Sequence, residues 1–200
     1  MEVPVKHLLT TLAVLSSALA LPALAALKQG ETAPDFTAPA ALAGKEFSFA
    51  LKDALKHGPV VVYFYPSAYT GGCNVQAHTF ALKQDQFTAV GASIVGVSLD
   101  SIARLKDFSA DPDYCAGKIP VASDKDGHIA HAYDLNVTER AGIKDTRGVD
   151  IDHAFAERTT FIVTPDGRIA ATIGGMKPAD NVDAALAAVT QLAAAKKPQG

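Results

Sequence analysis

One stretch does more than any other to limit what this chain can become. A run of apolar, β-branched and aromatic residues, Pro59-Val60-Val61-Val62-Tyr63-Phe64-Tyr65, leads through Pro66-Ser67-Ala68-Tyr69-Thr70-Gly71-Gly72 to Cys73. The run reads as a strand buried at the centre of a sheet. Beyond it Ala77, Phe80, Ala81 and Phe87 recur at helical spacing, with Gln84 interrupting the face, so Asn74 to Val90 reads as an amphipathic helix. Cys73 therefore falls in the first turn of a helix, behind two glycines and a threonine. Unpaired N–H groups and the positive end of the helix dipole favour an anion there, and a thiolate is the anion on offer.

A free thiol titrates near about 8.5 and is only about 3% ionised at neutral pH. Bringing a thiol down to roughly 6 takes about 3.4 kcal/mol, whereas an exposed helix terminus contributes about 0.3–1 kcal/mol. The remainder requires a cation and hydrogen bonds from Thr70 or the loop N–H groups. Arg158 is the candidate cation, because it opens another strand-like run, Thr159 to Thr164.

Pro66-x-x-x-Thr70-x-x-Cys73, followed far downstream by Arg158-Thr159-Thr160-Phe161-Ile162-Val163, resembles the active-site signature of the peroxiredoxins. Ala33-Pro34-Asp35-Phe36 and Gly44-Lys45 resemble that family's opening segment, and the likeness runs from about Gly30 to Val189. Within the family the chain is most similar to the bacterioferritin-comigratory-protein or peroxiredoxin Q group. The resemblance implies a thioredoxin-like fold and attack by the Cys73 thiolate on the O–O bond of a hydroperoxide, giving a sulfenic acid and water or an alcohol. It implies that Arg158 holds the thiolate and polarises the peroxide, that Thr70 donates a hydrogen bond to the reacting oxygens, and that Pro66 screens the pocket from water. No cofactor is implied, and the reductant is expected to be a thioredoxin-like or low-molecular-weight thiol.

Two departures from the family pattern stand out. Gly71-Gly72 replaces the Pro-Gly that many members carry before the cysteine, which keeps the turn feasible but adds backbone freedom. His78 occupies the position five residues after Cys73 where many relatives place a second cysteine. Relatives that resolve from the following helix place that cysteine nearer Ser109. Cys115 is then the one internal candidate to resolve the sulfenic acid as an intramolecular disulfide. The alternative leaves Cys115 a bystander, with an external thiol as reductant.

The N-terminal 25 residues read as a signal peptide. Lys6 and His7 precede an apolar run from Leu8 to Leu21, and Ala23-Leu24-Ala25 is an A-x-A cleavage pattern, so cleavage is expected after Ala25. The run is short for a transmembrane helix, which needs about 20 apolar residues. No cysteine follows it to carry lipid. The expectation is export to the periplasm without stable membrane association, leaving residues 26–200 as one domain and the protein as a monomer or weak homodimer. A net charge of −3 with no basic run gives no support to nucleic-acid binding. His128, His131 and His153 form no convincing metal-ligand set.

Further along, Gly44 to Phe49 reads as a short strand, Leu51 to Leu55 as a helical turn and Ile94 to Leu99 as a core strand. Asp100 or Ser101 can cap a helix carrying Ile102, Leu105 and Phe108. Asp111 to Gly117 reads as a loop, Ile119 to Ala122 as a short strand and His128 to Tyr133 as a short helix. Thr159 to Ile173 reads as a hairpin, and Pro178 opens a final helix with Val182, Leu186, Val189 and Leu192 on one face. This order predicts an α/β fold with a mixed central sheet flanked by helices. Ala26 to Pro39 reads as a polar lead-in. Asn136 to Glu157 has little apolar pattern, so it reads either as a rim of the active-site mouth or as a solvated excursion.

Two other readings compete. A thiol–disulfide oxidoreductase of the same fold would ordinarily carry Cys-x-x-Cys, and Cys73-Asn74-Val75-Gln76 lacks the partner. A non-catalytic exported binding module would use the two cysteines as a structural bridge, closing a loop of about 42 residues and contributing roughly 4 kcal/mol.

Overall fold

The computed structural model describes residues 26–195; the predicted signal peptide lies outside them. In chain order the elements are β1 (Thr37–Leu42), β2 (Lys45–Ala50), α1 (Leu51–Ala54) with a 3-10 turn at Leu55–His57, β3 (Val60–Phe64) and α2 (Gly71–Ala89). They continue with β4 (Ser93–Ser98), α3 (Ile102–Ala110), β5 (Val121–Ser123), α4 (His128–Ala132), β6 (Val137–Thr138) and β7 (Phe155–Ala156). The hairpin β8 (Thr159–Val163) and β9 (Ile169–Gly174) and the helix α5 (Pro178–Ala195) complete it.

Seven strands form one sheet in the order β2-β1-β5-β4-β3-β8-β9, and β6 and β7 pair separately. β3 runs parallel to β4 and β4 parallel to β5, whereas β8 lies antiparallel to β3, so the sheet is mixed as the element order predicts. Every residue of β3 is buried, because both faces of the sheet are covered. The strand's alternation splits the core in two. Val60, Val62 and Phe64 join Phe36, Tyr133 and Phe161 on one face. Val61, Tyr63 and Tyr65 join Phe80 and Phe87 of α2, Leu105 and Phe108 of α3 and Val182 of α5 on the other. Tyr63 can lie flat there because β4 offers Gly96: a Cβ at that position would come within 2.6 Å of the Tyr63 hydroxyl.

The lead-in Ala26 to Pro39 contains part of a strand that the sequence pattern hides. β1 is alanine-rich and contains Pro39, yet it sits between β2 and β5. Its pairing with β5 involves Ala40 and Ala41, so Pro39 lies where no ladder donor is required of it. The Asp111 to Gly117 segment is likewise more ordered than its composition suggests. Ala116 N–H donates to Asp111 O at 2.8 Å and Gly117 N–H to Ser109 O at 2.9 Å, and Cys115 is fully buried beneath these turns.

The register of the sheet brings the two halves of the site together. Phe64 at the end of β3 is paired with Thr159 at the start of β8. Arg158 therefore emerges beside the loop that carries the chain from β3 into α2.

Candidate active site

Thr70 is the N-cap of α2, with extended backbone (φ −107°, ψ 147°), and Cys73 lies in the helix's first turn. The helix starts at Gly71, three residues before the periodicity suggests, because glycines carry no pattern. Thr70 does not cap the helix with its side chain; its hydroxyl donates instead to Ser67 O at 2.8 Å. The first-turn N–H groups are thus left without a side-chain cap, which preserves the positive end of the helix for an anion.

Cys73 is 2% exposed. Arg158 Nη2–H donates to its sulfur at 3.3 Å. The guanidinium reaches this position over Gly72, where a Cβ would sit 3.1 Å from Arg158 Nη2 and 3.3 Å from Pro178 Cγ. A larger residue at 72 would push the arginine from the sulfur.

Arg158 is itself held by residues outside the family signature. Its Nη1 donates to Gln76 Oε1, and Gln76 Nε2 donates to Asn181 Oδ1 at 2.9 Å. Asn181 Oδ1 also accepts from Thr160 Oγ1 at 2.6 Å, and Asn181 Nδ2 donates to Ile173 O at 3.0 Å. Gln76, Thr160 and Asn181 are fully buried, so α2, α5, β8 and β9 meet in one satisfied polar chain. The signal for Gln76 was its position three residues after Cys73, on the same helix face. Nothing local in the sequence marked Asn181.

A cleft of about 610 Å³ is lined on one side by Pro66, Thr70, Gly71 and Arg158; Cys73 itself lies behind these residues and does not line it. The facing wall comes from the segment between β6 and β7 and from those strands, with Thr138, Arg140, Ile143 and Phe155 among its residues. Asn136 to Glu157 is thus the rim of the mouth. It keeps its shape around Asp145, a buried carboxylate that accepts from Arg147 N–H at 2.8 Å and Val149 N–H at 3.0 Å and pairs with Arg104 and Arg147. Against the burial that opposes its charge, these donors hold the Asp145 pKa down at about 2.

The rim is fastened to the loop before Cys73. Thr146 donates to Tyr69 O from its N–H at 2.9 Å and from its hydroxyl at 2.8 Å. The Arg147 guanidinium lies 3.2 Å from the Tyr69 ring centroid, a cation–π contact. Tyr69 needs such fixing because its φ of +60° lies in the left-handed region that side chains avoid.

Cys115 is a free thiol, as is Cys73. Both belong to the same core cluster, and Tyr63 belongs with them. Burial foremost, and Asp111 after it, push the Cys115 thiol well above its ordinary pKa. The Tyr63 hydroxyl is fully buried with no hydrogen-bond partner among the described residues, and its pKa is raised by burial first and then by Cys115 and Cys73. His78 is exposed on α2 and does not line the cleft.

The family model described as AhpC/TSA matches residues 29–172. Peroxiredoxin Bcp of Xanthomonas campestris is 32% identical over 130 residues, which cover 65% of this chain and 75% of that protein. A Mycobacterium tuberculosis protein described as a peroxiredoxin is 34% identical over 143 residues, or 72% of this chain and 82% of its own. Among solved structures, peroxidoxin BcpB of Mycobacterium tuberculosis superposes with a TM-score of 0.70 at 28% identity, covering 83% of this chain and 98% of that one. Bacterioferritin comigratory protein of Xanthomonas campestris does so with a TM-score of 0.62 at 30% identity, covering 78% and 91%. A match over most of the chain, joined to a helix-terminal cysteine under an arginine, leaves no room for the binding-module or disulfide-oxidoreductase readings: the chain belongs to the AhpC/TSA family, as a peroxiredoxin of the bacterioferritin-comigratory-protein or peroxiredoxin Q kind, and is a thiol-dependent peroxidase.

Proposed function

We propose that Cys73 is the residue oxidised by the peroxide, and the observation that carries this is the N–H donated to its sulfur by Arg158, which itself lines the cleft. The thiolate attacks the terminal oxygen of the hydroperoxide, the O–O bond breaks, and the departing oxygen takes a proton and leaves as water or an alcohol. Arg158 stabilises the thiolate before the attack and the negative charge that spreads onto the oxygens during it. The Thr70 proton is already donated to Ser67 O, so in place of the donation to the reacting oxygens that the family resemblance implies, its lone pairs accept the peroxide O–H and orient it. Pro66 contributes apolar wall to the same cleft.

The cleft volume is many times that of a hydrogen peroxide molecule, and Ile143 and Phe155 give its far wall apolar character. Organic hydroperoxides therefore fit as substrates beside hydrogen peroxide. The Xanthomonas campestris structure is described in terms of alkyl peroxide reduction, which supports the same reading.

Cys115 completes the cycle in this reading. Its thiol attacks the Cys73 sulfenic acid, a disulfide forms and water leaves, after which an external dithiol reduces the bridge. Export to the periplasm, with a thioredoxin-like or small thiol as electron donor and a monomer or weak dimer as the working form, is part of the proposal. It rests on the N-terminal pattern for location.

The test is peroxide consumption by the pre-reduced mature protein, followed by intact mass with thiol trapping. One equivalent consumed with a loss of two hydrogens, abolished by Cys73→Ser and converted to a trapped sulfenic acid by Cys115→Ser, is the expected result. Peroxide consumption that persists in Cys73→Ser would overturn the assignment.

A further inference from the structure

The carboxylate of Asp100 lies two residues beyond β4, fully buried, and more groups converge on it than a capping role explains. The cap of α3 is in fact Ser101, whose side chain accepts from Arg104 N–H. Asp100 Oδ1 accepts from the Ser67 hydroxyl at 2.9 Å, and Oδ2 accepts from Ala68 N–H at 2.7 Å and from the Ser98 hydroxyl at 2.7 Å. His153 Nε2, from the rim segment, lies 2.9 Å from Oδ1, and Arg104 Nε of α3 forms an ion pair with the same oxygen at 2.9 Å.

Two of these donors belong to the loop that precedes Cys73. The Ala68 peptide is held on both sides, since Arg104 Nη2 donates to its carbonyl at 2.9 Å. Ser67 is held by its hydroxyl, and its own carbonyl receives the Thr70 hydroxyl proton at 2.8 Å. The line Asp100, Ser67, Thr70 thus fixes which way the Thr70 oxygen faces, although Asp100 touches none of the reacting atoms. His153 and Arg104, which also pairs with Asp145, tie the rim to the same carboxylate. Hydrogen bonds to a buried anion are short and strong, so they suit a part that must not drift.

We propose that Asp100 is the positioning residue of the peroxide site, setting the Thr70 hydroxyl through Ser67 and holding the facing rim through His153 and Arg104. Positioning errors near 1 Å cost about 100-fold in rate, so the anchor of the loop bears directly on the reaction. The inference takes Cys73 as the reacting residue and concerns how its surroundings are held.

Ser98 supplies the control. Its hydroxyl donates to Asp100 as Ser67's does, but it comes from β4 and not from the Ser67-to-Thr70 turn. Ser67→Ala and Ser98→Ala each remove one O–H donor from one carboxylate. The experiment compares wild type, Ser67→Ala, Ser98→Ala and Asp100→Asn in three readouts: thermal unfolding, the rate of Cys73 oxidation by cumene hydroperoxide, and the rate of Cys73 alkylation by iodoacetamide. Positioning predicts that the two serine variants unfold alike, that Ser67→Ala and Asp100→Asn oxidise about 10–100-fold more slowly, and that Ser98→Ala stays within about twofold of wild type. Alkylation of Ser67→Ala should stay near the wild-type rate, because the thiol is intact and only peroxide orientation is lost. Equal slowing by both serine variants, or a Ser67→Ala rate matching wild type, overturns the proposal. Wild type unoxidised at Cys73 would overturn the assignment of Cys73 and this inference with it.

Discussion

Arg158 holds the Cys73 sulfur with one nitrogen, at 3.3 Å, and the Gln76 carboxamide with another, so its plane is fixed by two neighbours on one helix turn. A lysine cannot reproduce this, because a single ammonium on a flexible stem lacks the planar fork. Arg158→Lys is expected to lower the peroxide rate constant by about 100–1,000-fold, the usual cost of losing one preorganised donor. Stopped-flow measurement under pseudo-first-order peroxide checks it. A loss below about threefold would mean that any cation suffices.

Asn181 is far from the sulfur in sequence and yet stands behind Arg158. Replacing it with leucine leaves Gln76 Nε2 and Thr160 Oγ1 without their buried acceptor. An unsatisfied buried group costs about 1–3 kcal/mol, so Asn181→Leu should lose at least that much stability in urea unfolding. Peroxide reactivity should fall as well, because Gln76 is then free to rotate away from Arg158. A Gln76→Glu variant keeps an acceptor for Arg158 but loses its donor to Asn181, which makes the two halves of the chain separable.

Much of this site was legible before the structure because its parts are local or opened by a clear element boundary. The strand β3, the glycine loop and Cys73 are contiguous, and Arg158 stands at the first residue before β8. Gln76, Asn181 and Asp100 were not legible as site residues, since each acts through contacts between distant segments. Asp100 read as a helix cap because an aspartate after a strand ordinarily is one. β1 was hidden for a different reason: alanines bury too little to announce a strand, and tertiary pairing on both sides decides its conformation.

Gly71 is a position where the backbone accepts a proline. It occupies the first helical position, where no intrahelical N–H bond is needed, and a Cβ there meets nothing within 4 Å. Thr70 before it already has the extended backbone that a following proline demands. Gly71→Pro should stabilise the fold by about 0.4–1 kcal/mol through the unfolded state. In a chain of this size that is a rise of about 1–4 °C in Tm by calorimetry. A fall in Tm would show that the loop needs freedom the proline removes.

His153 and Asp100 make stability depend on pH in a stated direction. Burial opposes the charge on each, but their mutual hydrogen bond and attraction win: the His153 pKa is raised and the Asp100 pKa lowered. Both ring nitrogens face acceptors, Asp100 Oδ1 at 2.9 Å and Ala154 O at 2.8 Å, as an imidazolium requires. Asp152 also favours the cation, Arg104 shares Asp100, and Lys125, Asp126, His131 and Glu139 line the pocket that His153 borders. A raised histidine contributes stability fully below its unfolded value, near about 6.5, and loses it as pH rises through the folded value. A depressed aspartate contributes above its unfolded value, near about 3.9, and loses it as pH falls through the folded one. The pair is therefore at full strength between those two unfolded values. Thermal melts should show wild type losing stability above about pH 6.5, where His153→Gln stays flatter. Parallel profiles for the two proteins would refute the pairing.

With Cys115 as the proposed resolving thiol, its burial sets the pace of the second half of the cycle. Its thiol is fully buried, neutral by its raised pKa, and covered by a segment whose backbone bonds run from Ser109 and Asp111 to Ile119. Cys73 lies in a helical turn and Cys115 is buried beneath its own turns, so in the proposed cycle the bridge forms by unwinding the start of α2 and opening the turns over Cys115. Local opening of this kind carries its own free-energy cost, which slows the step that depends on it. The sulfenic acid should therefore form faster than the disulfide and accumulate, trappable by dimedone in the first moments after peroxide addition. Excess peroxide should drive part of it on to the sulfinic acid, and Cys115→Ser should increase that fraction while leaving the first oxidation rate within about twofold. Sub-denaturing urea should accelerate disulfide formation in wild type, because it favours the opened loop. Rapid-quench intact mass reads every species. A disulfide appearing as fast as peroxide is lost, insensitive to urea, would mean that the two cysteines meet without the opening that their burial demands.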